Sequence, residues 1–215
     1  MKVIVTNSYD ETCAVIANMI KELVNAKPDA KLGLATGGTP VPIYKKLIEM
    51  NKAGEVDFSR VHTVNLDEYC GIPGTHDQSY RYFMDTNLFD HINIDKKNTF
   101  VASGMGDFEA NARELEEKVR EGGAADLQLL GIGHDGHIGF NEASDHLIAV
   151  AHTEKLTEST INANARFFEK KEDVPTMAIT MGMGDILAAK KVVLAATGLA
   201  KVPAIKGLIM DDVIT

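Results

Sequence analysis

The chain has 215 residues and a mass of 23.3 kDa, with 45% apolar residues, 25% charged residues and a net charge of −9. That length suits one well-cored domain over residues 1–215, and the acidic balance argues against nucleic acid as the principal partner while leaving room for one small anion in a local pocket of amides and basic side chains. No stretch approaches the roughly 20 apolar residues that span a bilayer, so no membrane partner is expected, and Met1-Lys2-Val3-Ile4-Val5-Thr6 is too short and too quickly polar for a secretory signal, which points to the cytoplasm.

In chain order, Val3-Ile4-Val5 is the first short apolar run and reads as a strand. Ser8-x-x-Glu11 reads as a capping box ahead of a helical pattern through Ala14, Ile16, Ala17, Ile20, Leu23 and Val24, which ends near Lys27-Pro28. A second run, Leu32-Gly33-Leu34-Ala35, leads into Thr36-Gly37-Gly38-Thr39-Pro40. Pro40 is expected in the first turn of a helix through Tyr44, Leu47, Ile48 and Met50, closed around Gly54. Val61-His62-Thr63-Val64 is a third run, followed by a helix from about Asp107 to Arg120 that stops at Gly122-Gly123. Leu127–Leu130, Met177-Ala178-Ile179 and Val192–Ala196 complete the series.

Continuous rather than alternating apolarity is what strands buried on both faces show. Alternation of such strands with helices implies parallel pairing, hence an α/β fold: a three-layer sandwich with a mainly parallel, Rossmann-like central sheet. Cys13 and Cys70, the two cysteines, supply neither a disulfide framework nor a cysteine-type zinc site, and both are expected free.

The densest chemistry lies in Gly131-Ile132-Gly133-His134-Asp135-Gly136-His137-Ile138-Gly139-Phe140-Asn141-Glu142, directly after a strand-like run. Glycines let backbone approach a ligand closely, and imidazole beside carboxylates moves protons near neutral pH. Gly131-x-Gly133-x-x-Gly136 matches a dinucleotide fingerprint only weakly, because polar residues and further glycines interrupt the helix it should open. His134, His137, Asp135 and Glu142 also permit a metal reading, but a glycine-filled loop lacks the ligand spacing of one helix face, so proton transfer is favoured and no metal is expected.

Thr36-Gly37-Gly38-Thr39 is read equally well as an anion cradle or as a tight strand-to-helix turn. Asp67-Glu68 closes the third run where a side chain can face a cleft; alone, it reads as the acidic cap of a following element. Arg166 and Lys201 are ordinary surface charges unless a phosphate site lies beside them.

Together, Leu34–Pro40, Asn65-Leu66-Asp67-Glu68-Tyr69, Gly131–Glu142, Asn164-Ala165-Arg166-Phe167-Phe168 and Ala196-Thr197-Gly198 closely resemble the glucosamine-6-phosphate deaminase family, in order from about Lys2 onward. The resemblance implies an enzyme that converts D-glucosamine 6-phosphate and water to D-fructose 6-phosphate and ammonia, without metal or organic cofactor. It implies Asp67 as the base that shuttles the C2 proton, His137 as the acid/base of ring opening, and Asp135 and Glu142 as the groups that orient that imidazole. Gly37, Gly38 and Thr39 would hold the 6-phosphate with Arg166 and Lys201. On its reference pKa of about 4, the aspartate is expected to be ionised at neutral pH. Ala143 stands where the family usually carries proline, and members commonly continue past Thr215 into a further strand. The compact length favours a monomer over a homo-oligomer.

The nearest rival is 6-phosphogluconolactonase, similar at both glycine-rich turns, but Phe140-Asn141-Glu142 stands where the lactonases carry a Ser-Leu-Phe-Pro type of sequence. A non-catalytic sugar-phosphate effector-binding module would need the cradle, Arg166 and Lys201 but not Asp67 with His137.

Overall fold

The computed structural model describes residues 1–210, so the expectation about the chain beyond Thr215 lies outside the described residues. Ser8, in extended backbone, starts α1 (Tyr9–Ala26) by accepting the Glu11 amide on its side chain at 3.1 Å. Glu11 reaches back one residue further than a capping box requires, accepting the Asn7 amide at 2.8 Å rather than that of Ser8. After β1 (Lys31–Leu34), Pro40 and Pro42 bracket the start of α2 (Val41–Lys52), and Gly54 follows its end at φ +73°.

Next come β2 (His62–Asn65), β3 (Asp67–Tyr69), α3 (Tyr80–Asn87), β4 (Thr99–Phe100) and α4 (Phe108–Arg120). Asp107 caps α4 by accepting the Ala110 amide. At its other end the Lys31 ammonium donates to the carbonyls of Lys118, Val119, Glu121 and Gly123 at 2.6–3.1 Å, satisfying groups that a helix end leaves without partners. The remaining elements are β5 (Leu127–Leu130), β6 (His152–Lys155), α5 (Glu158–Asn164), β7 (Met177–Thr180), α6 (Met183–Leu187), β8 (Val192–Leu194) and α7 (Val202–Met210).

Five parallel strands in the order β4-β2-β1-β5-β8 form the central sheet. Residues alternate between its faces, as the pleat requires. Leu127 and Leu129 pack with Leu32, Leu34 and the buried sides of α1, α2 and α3; Leu130 and Val64 pack on the other side with α4, α6 and β7. The α/β architecture expected from the apolar runs is therefore the observed one. Both cysteines are buried and free. Among the described residues, no helix is long and apolar enough to cross a membrane.

Two expected strands differ. Val3-Ile4-Val5 forms no strand, and its side chains are 57%, 46% and 89% exposed. Strand propensity needs a neighbouring ladder to satisfy its N–H and C=O groups, and among the described residues none of the named strands pairs with this segment. Met177-Ala178-Ile179 is a strand, but in a separate antiparallel sheet of order β3-β7-β6. Burial on both faces, which made it look like a parallel strand, comes from lying between the central sheet's α4 face and an aromatic cluster.

At the opposite end from the site, buried Asp126 accepts from the ammonium groups of Lys27 and Lys190, each at 2.7 Å, and from the Lys31 amide at 2.9 Å. Burial opposes ionisation, but the three donors outweigh it and hold the pKa at about 2. Since the native pKa lies below the unfolded one, this contribution is complete above the unfolded value near 4 and is lost as pH falls toward 2. Asp126→Asn is expected to destabilise the protein at pH 7 by about 1–2 kcal/mol, discounted for the exposed lysines, and to flatten the acid limb of urea-unfolding stability against pH.

Candidate active site

The turn after β1 carries the cradle residues. Gly37 sits at φ +91°, in the left-handed region that favours glycine, and Gly37 and Gly38 are exposed. Two tyrosines fix the turn from within, Tyr44 Oη donating to Ala35 O and Tyr9 Oη to Thr39 O, both at 2.5 Å. Among the described residues no side chain caps α2, so the Val41 and Ile43 amides and the positive helix end remain available to an anion. Thr39 and Pro40 line one crevice with Gly131 and Ala195, which makes neighbours of the turns after β1, β5 and β8.

Lys201, in the 3-10 turn Leu199–Lys201 beyond β8, donates to Ile132 O at 2.5 Å. Its ammonium pKa is lowered by burial and by repulsion from Arg166, while Asp135 pulls it upward. The three side chains are therefore within electrostatic reach of one another, although they come from distant parts of the chain. Arg166 is exposed in the turn Ala165–Phe167, its guanidinium 4.6 Å from the centroid of the Phe167 ring.

Asp67 arrives differently. After β2 the chain crosses at Leu66 into the second sheet, where Asp67 lies opposite Thr180. It is 6% exposed, and its Oδ1 has no hydrogen-bond partner among the described residues. Burial, with the neighbouring Glu68 adding repulsion, pushes its pKa up to about 8. The expectation of an ionised carboxylate at neutral pH is thus corrected: in the free protein Asp67 holds its proton, because desolvation penalises the charged form and no cation or amide among the described residues offsets it.

The acidic-cap reading belongs to the next residue instead. Glu68 accepts the amides of Tyr69, Tyr80 and Arg81 at 2.8–3.0 Å and so caps α3; burial pushes it up to about 7, against the pull of those three amides.

The glycine-rich loop after β5 folds back on itself. Gly133 N donates to His137 O at 2.8 Å, and Asp135 Oδ1 lies 2.7 Å from His137 Nδ1 while also accepting the His137 amide at 3.3 Å. Contact with the imidazole holds the Asp135 carboxyl below the usual range, although burial opposes it. Gly133 owes its identity to this packing, since a Cβ there would stand 2.5 Å from His137 Nδ1 and 2.6 Å from Asp135 Oδ1. The apparent dinucleotide fingerprint is therefore a by-product of fitting an imidazole, and no helix follows it. His134 points outward and joins none of these contacts.

Phe140 N donates to Thr180 Oγ1 at 3.1 Å and Asn141 Nδ2 to Met181 O at 2.9 Å, which anchors the loop to β7 beside Asp67. Gly139, at φ +61°, has a Cβ position 3.4 Å from Asp67 Oδ2. The aspartate and the histidine loop thus share one side of the molecule. Beneath them Tyr69, Tyr80, Phe140 and Phe168 form an aromatic floor, with Tyr80 and Phe140 stacked at 5.9 Å.

Glu142 closes the loop. Side-chain atoms of Asp135, His137 and Glu142 lie within 4.8 Å of one another, a set of two carboxylates and one imidazole that suits proton transfer and has the donor types to hold a cation. Thr157 and Thr160, which hold Glu142 from α5, were not marked by any motif; locally, Thr157 reads only as the cap of a short helix.

The sequence matches the family model described as glucosamine-6-phosphate isomerases/6-phosphogluconolactonase over residues 6–213. It is 51% identical over 216 residues to a Clostridium beijerinckii protein named glucosamine-6-phosphate deaminase, covering 100% of this chain and 89% of that one. The fold is similar to the solved structure of a monomeric glucosamine-6-phosphate deaminase, with a TM-score of 0.96, 39% identity and coverage of 100% and 89%. A 6-phosphogluconolactonase from Thermotoga maritima shares the fold at a TM-score of 0.76 and 21% identity, over 98% of this chain and 89% of that one.

Proposed function

The chain belongs to the glucosamine-6-phosphate isomerase/6-phosphogluconolactonase family, and from that premise we propose that it works in the deaminase branch, converting D-glucosamine 6-phosphate and water to D-fructose 6-phosphate and ammonia. Identity of 51% to a protein of that name, over 100% of this chain and 89% of that one, supports the reaction. The observation that supports the residue assignment is the placing of Gly139 beside Asp67, a Cβ built on that glycine standing 3.4 Å from Asp67 Oδ2, which sets the imidazole loop against the buried carboxylate.

His137 gives and takes the protons of pyranose opening, with Asp135 and Glu142 orienting its ring. Asp67 removes the proton on C2 and returns one to C1, after which nitrogen leaves C2 as water enters. Gly37, Gly38 and Thr39, with Arg166 and Lys201, grip the 6-phosphate; binding energy from that remote group positions C2 against Asp67. The chain acts as one domain over residues 1–215, in the cytoplasm, without metal, organic cofactor, nucleic acid or membrane partner. A monomer is the reading for its assembly, supported by the monomeric deaminase of TM-score 0.96 and tested by sedimentation.

Ammonia release and fructose 6-phosphate formation from glucosamine 6-phosphate, run beside 6-phosphogluconolactone hydrolysis, test the proposal. Ammonia with no acid release from the lactone is expected. Acid release alone would make it a lactonase, and binding without turnover would make it an effector-binding module.

A pH signature follows from Asp67. A base that carries its proton up to about pH 8 in the free protein makes kcat/KM rise about tenfold per pH unit below that value. The ammonium of the bound substrate draws the carboxyl toward ionisation, so the matching limb of kcat lies lower. A kcat/KM limb at the ordinary carboxylate position near pH 4 would overturn the raised pKa of Asp67 in the free protein.

A further inference from the structure

Among the described residues, Glu142 is held by one oxygen only. Its Oε1 accepts from Thr160 Oγ1 at 2.6 Å and from the Thr157 amide at 3.2 Å, with Thr157 Oγ1 a further 3.3 Å contact. Its Oε2 is buried without a partner among the described residues, in a side chain that faces Asp135 and His137. The donors come from the first turn of α5, where Thr157 is the cap and also accepts the Thr160 amide. Directly beyond the last residue of α5 is the turn Ala165–Phe167 that carries Arg166. One carboxylate therefore lies within 4.8 Å of the imidazole cluster and is hydrogen-bonded through Oε1 to the root of the arginine-bearing arm.

Resting on the reading of Glu142 as a group that orients His137, we propose that Thr157 and Thr160 are positioning residues: they fix Glu142 so that its second oxygen serves the imidazole, and through the same contact they register the Arg166 arm against the acid/base loop. Without the hydroxyl of Thr160, the carboxylate loses its shortest hydrogen bond and can rotate, and the arm loses its link to the loop. Phosphate grip and imidazole orientation then weaken together. Groups that orient a functional residue from behind cost about 10–100-fold when removed from metal sites, and the low end of that range is expected here because Thr157 still donates.

The test is Thr160→Val, which replaces a buried hydroxyl by a methyl of similar size, measured with Thr160→Ser, Thr160→Ala and Glu142→Gln. Thr160→Val and Thr160→Ala are each expected to lower kcat about tenfold, to displace the pH profile of kcat and to weaken inhibition by inorganic phosphate. Thr160→Ser, which keeps the donor, is expected to restore most of the activity and the native profile. A merely structural threonine would change Tm and leave the profile and phosphate inhibition of the folded fraction as they were. Native kcat, profile and phosphate inhibition in Thr160→Val, with Glu142→Gln inactive, would overturn the positioning role alone. Full activity in Glu142→Gln would instead overturn the reading of Glu142 on which the role rests.

Discussion

Asp67→Asn is expected to lower ammonia release from glucosamine 6-phosphate by about 10²–10⁴-fold, the range general base catalysis supplies, while the sugar phosphate still binds. The amide has the shape of the carboxyl and the same floor beneath it, but it cannot accept the C2 proton. Binding is expected to survive because the proposed phosphate grip lies in other segments, at Gly37–Thr39, Arg166 and Lys201. The same substitution carries a stability signature that separates burial from catalysis. With a native pKa of about 8 and an unfolded value near 4, the native state holds an extra proton between those limits. Asp67's contribution is thus fully present below about pH 4 and is lost as pH rises through about 8. An asparagine at this position cannot ionise, so the variant should lose less stability than the native protein between about pH 4 and 8 in urea unfolding. Native turnover in the variant would exclude Asp67 from the chemistry; an unchanged stability profile would exclude its buried, protonated state.

His137→Asn is expected to cost a similar factor, about 10²–10⁴, for a different reason. Its proposed place is ring opening, so the defect should appear with the cyclic substrate. An open-chain amino-alditol phosphate, which has no ring to open, should bind the variant as it binds the native protein. The shorter side chain vacates the space against Gly133 that the imidazole fills, so Asp135 loses the partner that keeps its carboxyl low. Loss of inhibitor binding in parallel with turnover would show that the whole loop had collapsed, and would withdraw the specific assignment of ring opening to His137.

Much of the proposed site was legible in the sequence because its chemistry is packed into short segments. Asp135 and His137 are two residues apart and meet by local folding of one loop. Gly37 and Gly38 stand where a strand turns into a helix. Legibility ended where identity depended on neighbours. Asp67 and Glu68 are adjacent carboxylates, and nothing local says that one caps α3 by accepting the amides of Tyr80 and Arg81 while the other is buried with its Oδ1 lacking a partner among the described residues. Thr157 and Thr160 were invisible for the same cause, since their partner Glu142 lies across a long connection.

By itself the amino-acid sequence determined the α/β alternation, the cap at Ser8, the start of α4 near Asp107, the turns at Gly54 and Gly122-Gly123, and the polar loop after β5. These depend on hydrogen bonds and backbone preferences acting over three or four residues. Tertiary structure alone decided that Val3–Val5 forms no strand, that Met177–Ile179 joins an antiparallel sheet, and that Asp67 keeps its proton at neutral pH. Strand pairing and desolvation are set by which distant surfaces come into contact, and that is a property of the packed molecule rather than of any short stretch of it.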